Sequence, residues 1–152
     1  MSLFLDTGVL GLVTHPTGGT DASACFAWMR NCIDAGSTVC IPEICDYELQ
    51  RELTRCRKAA GLAKLDALAE APAIRYVPLT TAVMRQAAVF WAQIRNAGKP
   101  TAPHHALDGD VILAAQAQEF GGGTVIVITT NVEHLALLTD ARKWSDVPVG
   151  KY

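Results

Sequence analysis

The feature that most constrains this chain is an alternation. Short apolar runs, bounded by turn residues, are separated by longer stretches with helical periodicity. The runs are Ser2–Leu5, Thr38–Ile41, Ile74–Val77 and Thr124–Ile128, each short enough to be a strand and too apolar to face water. Between them the pattern predicts helices. A short one covers Val9–Thr14, and a second, capped by Thr20 or Asp21, runs to about Ala35 with Gly36 as its stop. Pro42 opens a third, from Glu43 to about Lys58, with an apolar stripe at Cys45, Leu49, Leu53 and Cys56; Gly61 breaks it, and Leu62–Ala71 makes another. Thr80 or Thr81 caps a helix to Asn96, ended by Gly98, and Lys99–Ala106 reads as an irregular loop. An apolar helix follows over Val111–Phe120, and a short one over Val132–Leu138. The tail from Thr139 to Tyr152 is the least readable part, with an edge strand as its reading.

Strands alternating with helices mean a mostly parallel central sheet covered on both faces, a three-layer α/β/α architecture. The chain has 152 residues, half of them hydrophobic and 18% charged, which suits one domain over 1–152 with a real core and excludes disorder. There is no repeat or linker to divide it. The formal net charge of −2 argues against a wholly basic surface, so any nucleic-acid contact must come from a local patch. Five cysteines (Cys25, Cys32, Cys40, Cys45, Cys56) lack zinc-site spacing and read as small core residues in a reducing compartment. No signal peptide is read in Met1–Val13, where Asp6 interrupts the apolar stretch, and no run is long enough to span a bilayer. A cytoplasmic protein is expected.

Open parallel sheets place functional groups outside the carboxyl ends of their strands. Asp6 ends the first strand and Glu48 lies just beyond the second. Thr129 and Asn131 follow the fourth. Asp108 and Asp110 flank Gly109 at the expected mouth of the alanine-rich helix Val111–Phe120, where carboxylates complement the helix dipole. One Asp would cap that helix; two, before a buried and nearly uncharged helix, suggest a further use. With that helix antiparallel to the strands, all these residues converge on one rim.

Three or four carboxylates with an amide and a hydroxyl, and no His or Cys among them, form an all-oxygen site suited to Mg²⁺ or Mn²⁺ rather than zinc. Such sites usually serve phosphate chemistry. No nucleophile-elbow Ser or Cys accompanies His104, His105 or His134, which lie near the rim. D-T-G also marks aspartic proteases, but those are all-β, and the helical periodicity here is too strong. A receiver or phosphatase would need a second Asp beside Asp6 and a Lys near the last strand. Gly121–Gly123 precedes a strand and so is not a phosphate loop.

Four segments carry a family resemblance: F-L-D-T-G-V-L, I-P-E-I-C-D-Y-E-L, L-D-G-D-V-I-L-A-A-Q-A and V-I-T-T-N-V-E-H-L. In their order and spacing the chain resembles the PIN-domain ribonucleases, and among them the VapC-type toxins of toxin–antitoxin pairs. The resemblance covers almost the whole chain. It implies a divalent-metal-dependent endoribonuclease in which Asp6, Glu48 and Asp110 bind Mg²⁺ or Mn²⁺, with Asn131 at the variable fourth place, Thr129 supporting it, and Asp108 close enough to join. It further implies a homodimer and a small antitoxin partner. Gly8 stands where the family usually has Asn, and Asn131 where it has an acid. These departures motivate the alternative of a catalytically weak or inactive module that binds RNA or protein. Arg51, Arg55 and Lys58, with Arg57, form a basic run beyond Glu48 that reads as a solvated face or as a grip on an RNA backbone. Glu52 reads as a helix-surface partner of Arg51 or Arg55, and Trp28, Trp91 and Trp144 as core or interface residues.

Overall fold

The computed structural model describes residues 1–98 and 104–150, with His104–Ala106 described as helical backbone. Five strands, β1 (Ser2–Leu5), β2 (Thr38–Pro42), β3 (Ile74–Val77), β4 (Val125–Ile128) and β5 (Ala141–Arg142), form one sheet in the order β3-β2-β1-β4-β5. Every pairing is parallel. β1 is central, and Leu3, Phe4 and Leu5 are fully buried, as a strand covered on both faces requires. The chain moves outward from β1 to β2 and β3 on one side, and β4 and β5 fill the other. The direction of winding therefore reverses between β1 and β4, and a crevice is expected outside the carboxyl ends of these two strands. Leu5 lies opposite Ile128 in register, so Asp6 and Thr129 leave the sheet side by side.

The helices are α1 (Thr7–Val13), α2 (Thr20–Asp34), α3 (Glu43–Arg55), α4 (Ala59–Ala69), α5 (Thr81–Asn96), α6 (His104–Phe120) and α7 (Val132–Leu135). The main core joins the sheet to Val9, Leu10, Cys25, Met29, Cys45, Leu65 and Leu113. A second, smaller core lies between α5 and α6 and is built from Val83, Ala87, Phe90, Leu107, Val111, Ala114 and Ala115. Alanines on α6 let the two helices approach closely. Gln116 is a fully buried polar side chain: it donates from Nε2 to the Val77 carbonyl (2.7 Å) and accepts the Ile44 N–H at Oε1 (3.4 Å), tying α6 to β3 and α3.

Several boundaries differ from the sequence reading. α6 begins at His104, so the residues read as the end of an irregular loop are helical; 99–103 lie outside the described residues. Asp108 and Asp110 therefore sit within the helix, not at its mouth. Gly61 does not break a helix. It lies buried inside α4, where a Cβ would stand 3.1 Å from Leu53, so its bareness permits helix-to-helix contact. The actual break is at Cys56–Lys58, where Arg57 takes φ 54°. α7 ends three residues before the expected Leu138. Cys56 is exposed at the C-terminus of α3, whereas the other four cysteines are buried. The tail does form an edge strand, β5, followed by a 3-10 turn at Trp144–Asp146. Among the described residues no helix is long and apolar enough to cross a membrane.

Candidate active site

Asp6 is positioned by three elements at once. Its backbone N–H continues the sheet by donating to the Ile128 carbonyl at 2.9 Å. Its carboxylate then caps α1, Oδ1 accepting the Thr7 N–H at 2.7 Å, while Oδ2 accepts the Thr129 hydroxyl at 2.6 Å. Thr129 is fully buried, and its Oγ1 also accepts the Asn131 N–H at 2.9 Å. The short turn after β4 is thus folded around the hydroxyl that holds Asp6. Thr7 completes the link to α3 by donating from Oγ1 to Glu48 Oε1 at 3.3 Å.

Glu48 and Asp110 feel Asp6 and each other. Burial raises the proton affinity of Glu48; the Arg51 guanidinium, 3.7 Å away, opposes this, Asp6 adds to it, and the Thr7 hydroxyl offsets it. Asp110 is pushed up to about 6, first by burial, then by the negative charge of Asp6, against which His134 acts, and then by that of Glu48. His134 Nδ1 stands 3.9 Å from Asp110 Oδ2 and makes no hydrogen bond among the described residues. Beneath them Cys45 is buried, its thiol held well above its usual range by burial and then by Asp6 and Glu48. The carboxylates of Asp6, at the end of β1, and of Glu48 and Asp110, on α3 and α6, therefore share one electrostatic environment.

Gly109 explains how α3 and α6 can share it. A Cβ there would lie 2.9 Å from Glu48 Oε1 and 3.2 Å from Cδ, so the Glu48 carboxylate is laid against bare helix backbone. Asp108 goes elsewhere. Residues two apart on a helix point about 200° apart, and Asp108 is exposed beside the hollow formed by Met84, Ala87, Ala88, Trp91, Val111 and Ile112. The structure does not bring it together with the other three acids. Asn131 is exposed at the start of α7 and caps nothing with its side chain.

Of the basic run, Arg51 is engaged with Glu48 and stacks over the exposed Tyr47 ring, 5.3 Å from its centroid. Arg55 is bound to Glu52, with Nε 3.1 Å from Oε2, and Lys58 ends the break before α4. The side chains of His104 and His105 lie outside the described residues. Thr7 and Gly109 are site residues the sequence reading passed over. Gly109 carried a signal, because glycine inside an alanine-rich helix costs about 1 kcal/mol relative to Ala and so asks for a reason.

The donor set is oxygen only, and the raised affinity of Glu48 and Asp110 for protons marks a place where positive charge is favoured. That chemistry fits a hard divalent cation. Among the described residues, no three His, Cys, Asp or Glu side chains stand close enough together to enclose an ion as they are placed. Glu48 is near Arg51, and Asp110 is near His134.

No protein-family profile matches the chain, and no curated protein matches it in sequence. Solved structures do match in shape. VapBC2 from Rickettsia felis, crystallised bound to a DNA fragment from its promoter, contains a chain with a TM-score of 0.73 at 14% identity, over 95% of this chain and 99% of that one. FitAcB from Neisseria gonorrhoeae gives 0.67 at 19% identity over 95% and 99%, and VapBC-1 from nontypeable Haemophilus influenzae gives 0.67 at 12% over 96% and 100%. Identities this low speak to fold alone. The chain has the fold of these VapBC and FitAB chains, the PIN-type α/β fold that its sequence resemblance implies.

Proposed function

We propose that the protein is a Mg²⁺- or Mn²⁺-dependent endoribonuclease that hydrolyses RNA phosphodiester bonds, and that it is the toxin of a toxin–antitoxin pair. What supports this reading is geometry at the switch point of a parallel sheet: Asp6 caps the helix that opens at Thr7, the Thr7 hydroxyl donates to Glu48, and the Glu48 carboxylate lies against Gly109, the residue before Asp110. Asp6, Glu48 and Asp110 would hold the cation. When bound, such an ion favours attack of water on the phosphodiester and neutralises the charge that develops. The chain supplies the rest. Thr7 and Thr129 fix both oxygens of Asp6, so that its orientation is set before substrate arrives. Gly109 lets Glu48 lie against α6. Asn131 lies on the rim, available to orient substrate or water.

The neighbours named as VapBC and FitAcB support a small antitoxin as partner; a homodimer as the working unit and a cytoplasmic location belong to the proposal through the sequence resemblance alone. The test is cleavage of single-stranded and structured RNA in Mg²⁺, Mn²⁺ or EDTA, comparing wild type with Asp6→Ala and Asp110→Ala. Cleavage that requires metal and is abolished by either change supports the proposal. Metal-independent cleavage, or cleavage indifferent to both changes, refutes it.

A second reading, a module that binds RNA or protein without cutting, is favoured by the engagement of both Asp6 oxygens within the chain and by the separation of the three acids. Calorimetric titration with Mn²⁺ separates the two, since the inert module would take up no ion at millimolar concentration.

A further inference from the structure

Beside Thr129, whose hydroxyl holds Asp6, lies a hollow of about 340 Å³ lined by Leu12, Asp21, Thr129, Thr130, Lys143 and Ser145, with Trp144 at its wall. That volume falls within the roughly 300–1,000 Å³ of small-molecule sites. We propose that this hollow is the subsite for the nucleotide adjacent to the scissile bond of a single-stranded RNA, with Lys143 binding its backbone phosphate and the Thr130 and Ser145 hydroxyls its sugar. The substrate class rests on the ribonuclease reading; the site itself rests on the geometry below.

The sheet sets the distance between hollow and acids. β5 pairs with β4 in parallel, Ile128 opposite Arg142, and the Thr129 N–H donates to the Arg142 carbonyl at 3.0 Å. Lys143 therefore leaves the sheet beside the very residue whose hydroxyl holds Asp6 at 2.6 Å. One residue lines the hollow and orients the acid. Charge points the same way. Arg51, Arg55 and Arg142 are paired with Glu48, Glu52 and Asp140, and Lys64 is directed at the His15 and Pro16 carbonyls. The exposed Lys143 ammonium makes no ion pair among the described residues, although Asp21 lines the same hollow. A polyanion approaching three carboxylates needs a cation of this kind beside them, free to engage a phosphate.

Gly8 gives an independent argument. A Cβ at this position would stand 3.1 Å from Thr130 Oγ1. The missing side chain thus leaves room for the Thr130 hydroxyl at the seam between acids and hollow. Where the resemblance suggested a lost support for Asp6, the structure has a threonine hydroxyl against the bare helix, within the proposed subsite.

The experiment is fluorescence anisotropy of a labelled short single-stranded RNA in EDTA, across a salt series, with wild type, Lys143→Ala, Lys143→Arg and Gly8→Ala. Removing the phosphate contact should weaken binding about tenfold, in line with a hydrogen bond to a charged group, and flatten the slope of log affinity against log salt by about 0.7. Lys143→Arg should restore both. Gly8→Ala, which displaces Thr130, should weaken binding without changing the salt slope. With metal present, Lys143→Ala should raise KM and leave kcat unchanged, as loss of a uniform binding contact does. Wild-type affinity and slope in Lys143→Ala would overturn the subsite even if the enzyme cuts RNA. Conversely, RNA binding that depends on Lys143 in a protein that cuts nothing would uphold the subsite and sink the ribonuclease reading.

Discussion

At the scale of single residues, Asp110 is the most informative. Its carboxyl is raised from 3.8 to about 6 by burial, Asp6 and Glu48, with His134 opposing. The folded state therefore holds this proton more tightly than the unfolded chain, and stability falls as pH rises from about 4 through about 6, with the penalty complete above that. In metal-free protein Asp110→Asn removes the penalty, so chemical unfolding at pH 7.5 should show a gain on the order of 2 kcal/mol. At pH 4 the variant and wild type should converge. Gly109→Ala is the companion case. Helix propensity alone favours Ala by about 1 kcal/mol, but the new methyl would meet the Glu48 carboxylate. Glu48 must swing aside, so the variant should be as stable as wild type or slightly more so, while Mn²⁺ affinity measured by calorimetry drops. Unchanged affinity would remove Glu48 from the cation site.

At the scale of elements, most of the architecture could be read because each strand is short, apolar and bounded by turn residues, and Asp6, Glu48 and Thr129 were placed by the strand that each one follows. The errors share a cause. Asp108 and Asp110 are read from the sequence at the mouth of the helix, one a cap and both within reach of the site, because Asp favours helix starts, but α6 starts upstream at His104, and helical rotation sends the two carboxylates to opposite faces. Gly61 was read as a breaker because glycine often is one, when its role is contact with Leu53. Both are cases in which tertiary contact, invisible in a local window, decides the meaning of a residue. Gln116 belongs here as well. Nothing in the stretch A-A-Q-A marks it, yet it alone bonds both the Val77 carbonyl and the Ile44 N–H across three elements. Gln116→Leu keeps the volume and removes the partner of both groups, which should cost about 2–6 kcal/mol at roughly 1–3 kcal/mol per orphaned group. Denaturant titration measures it, and a loss below 1 kcal/mol would mean that the contact between α6 and the sheet tolerates a polar gap.

At the scale of the whole molecule, the five thiols report whether the two sides of the sheet open together. Cys25 and Cys32 lie on α2, Cys40 on β2 and Cys45 on α3; all four are in the main core, and Cys56 alone is exposed. Burial pushes the Cys25 thiol up to about 11 and that of Cys40 to about 12, and raises Cys32 and Cys45 as well. The reactive thiolate is therefore scarce at neutral pH, in addition to being out of reach of reagent. Cys56 is exposed to reagent. A disulfide reagent at pH 8 should label one thiol quickly in native protein and five in denaturant. The slow four should share one rate, because a central strand with helices on both faces exposes none of them short of global opening. Cys56→Ser should abolish the fast phase alone. Separate rates for the α2 pair and for Cys40 with Cys45 would show instead that α2 peels from the sheet on its own. The domain would then consist of two cooperative units, with the acidic crevice held by the unit containing β1, β2 and α3.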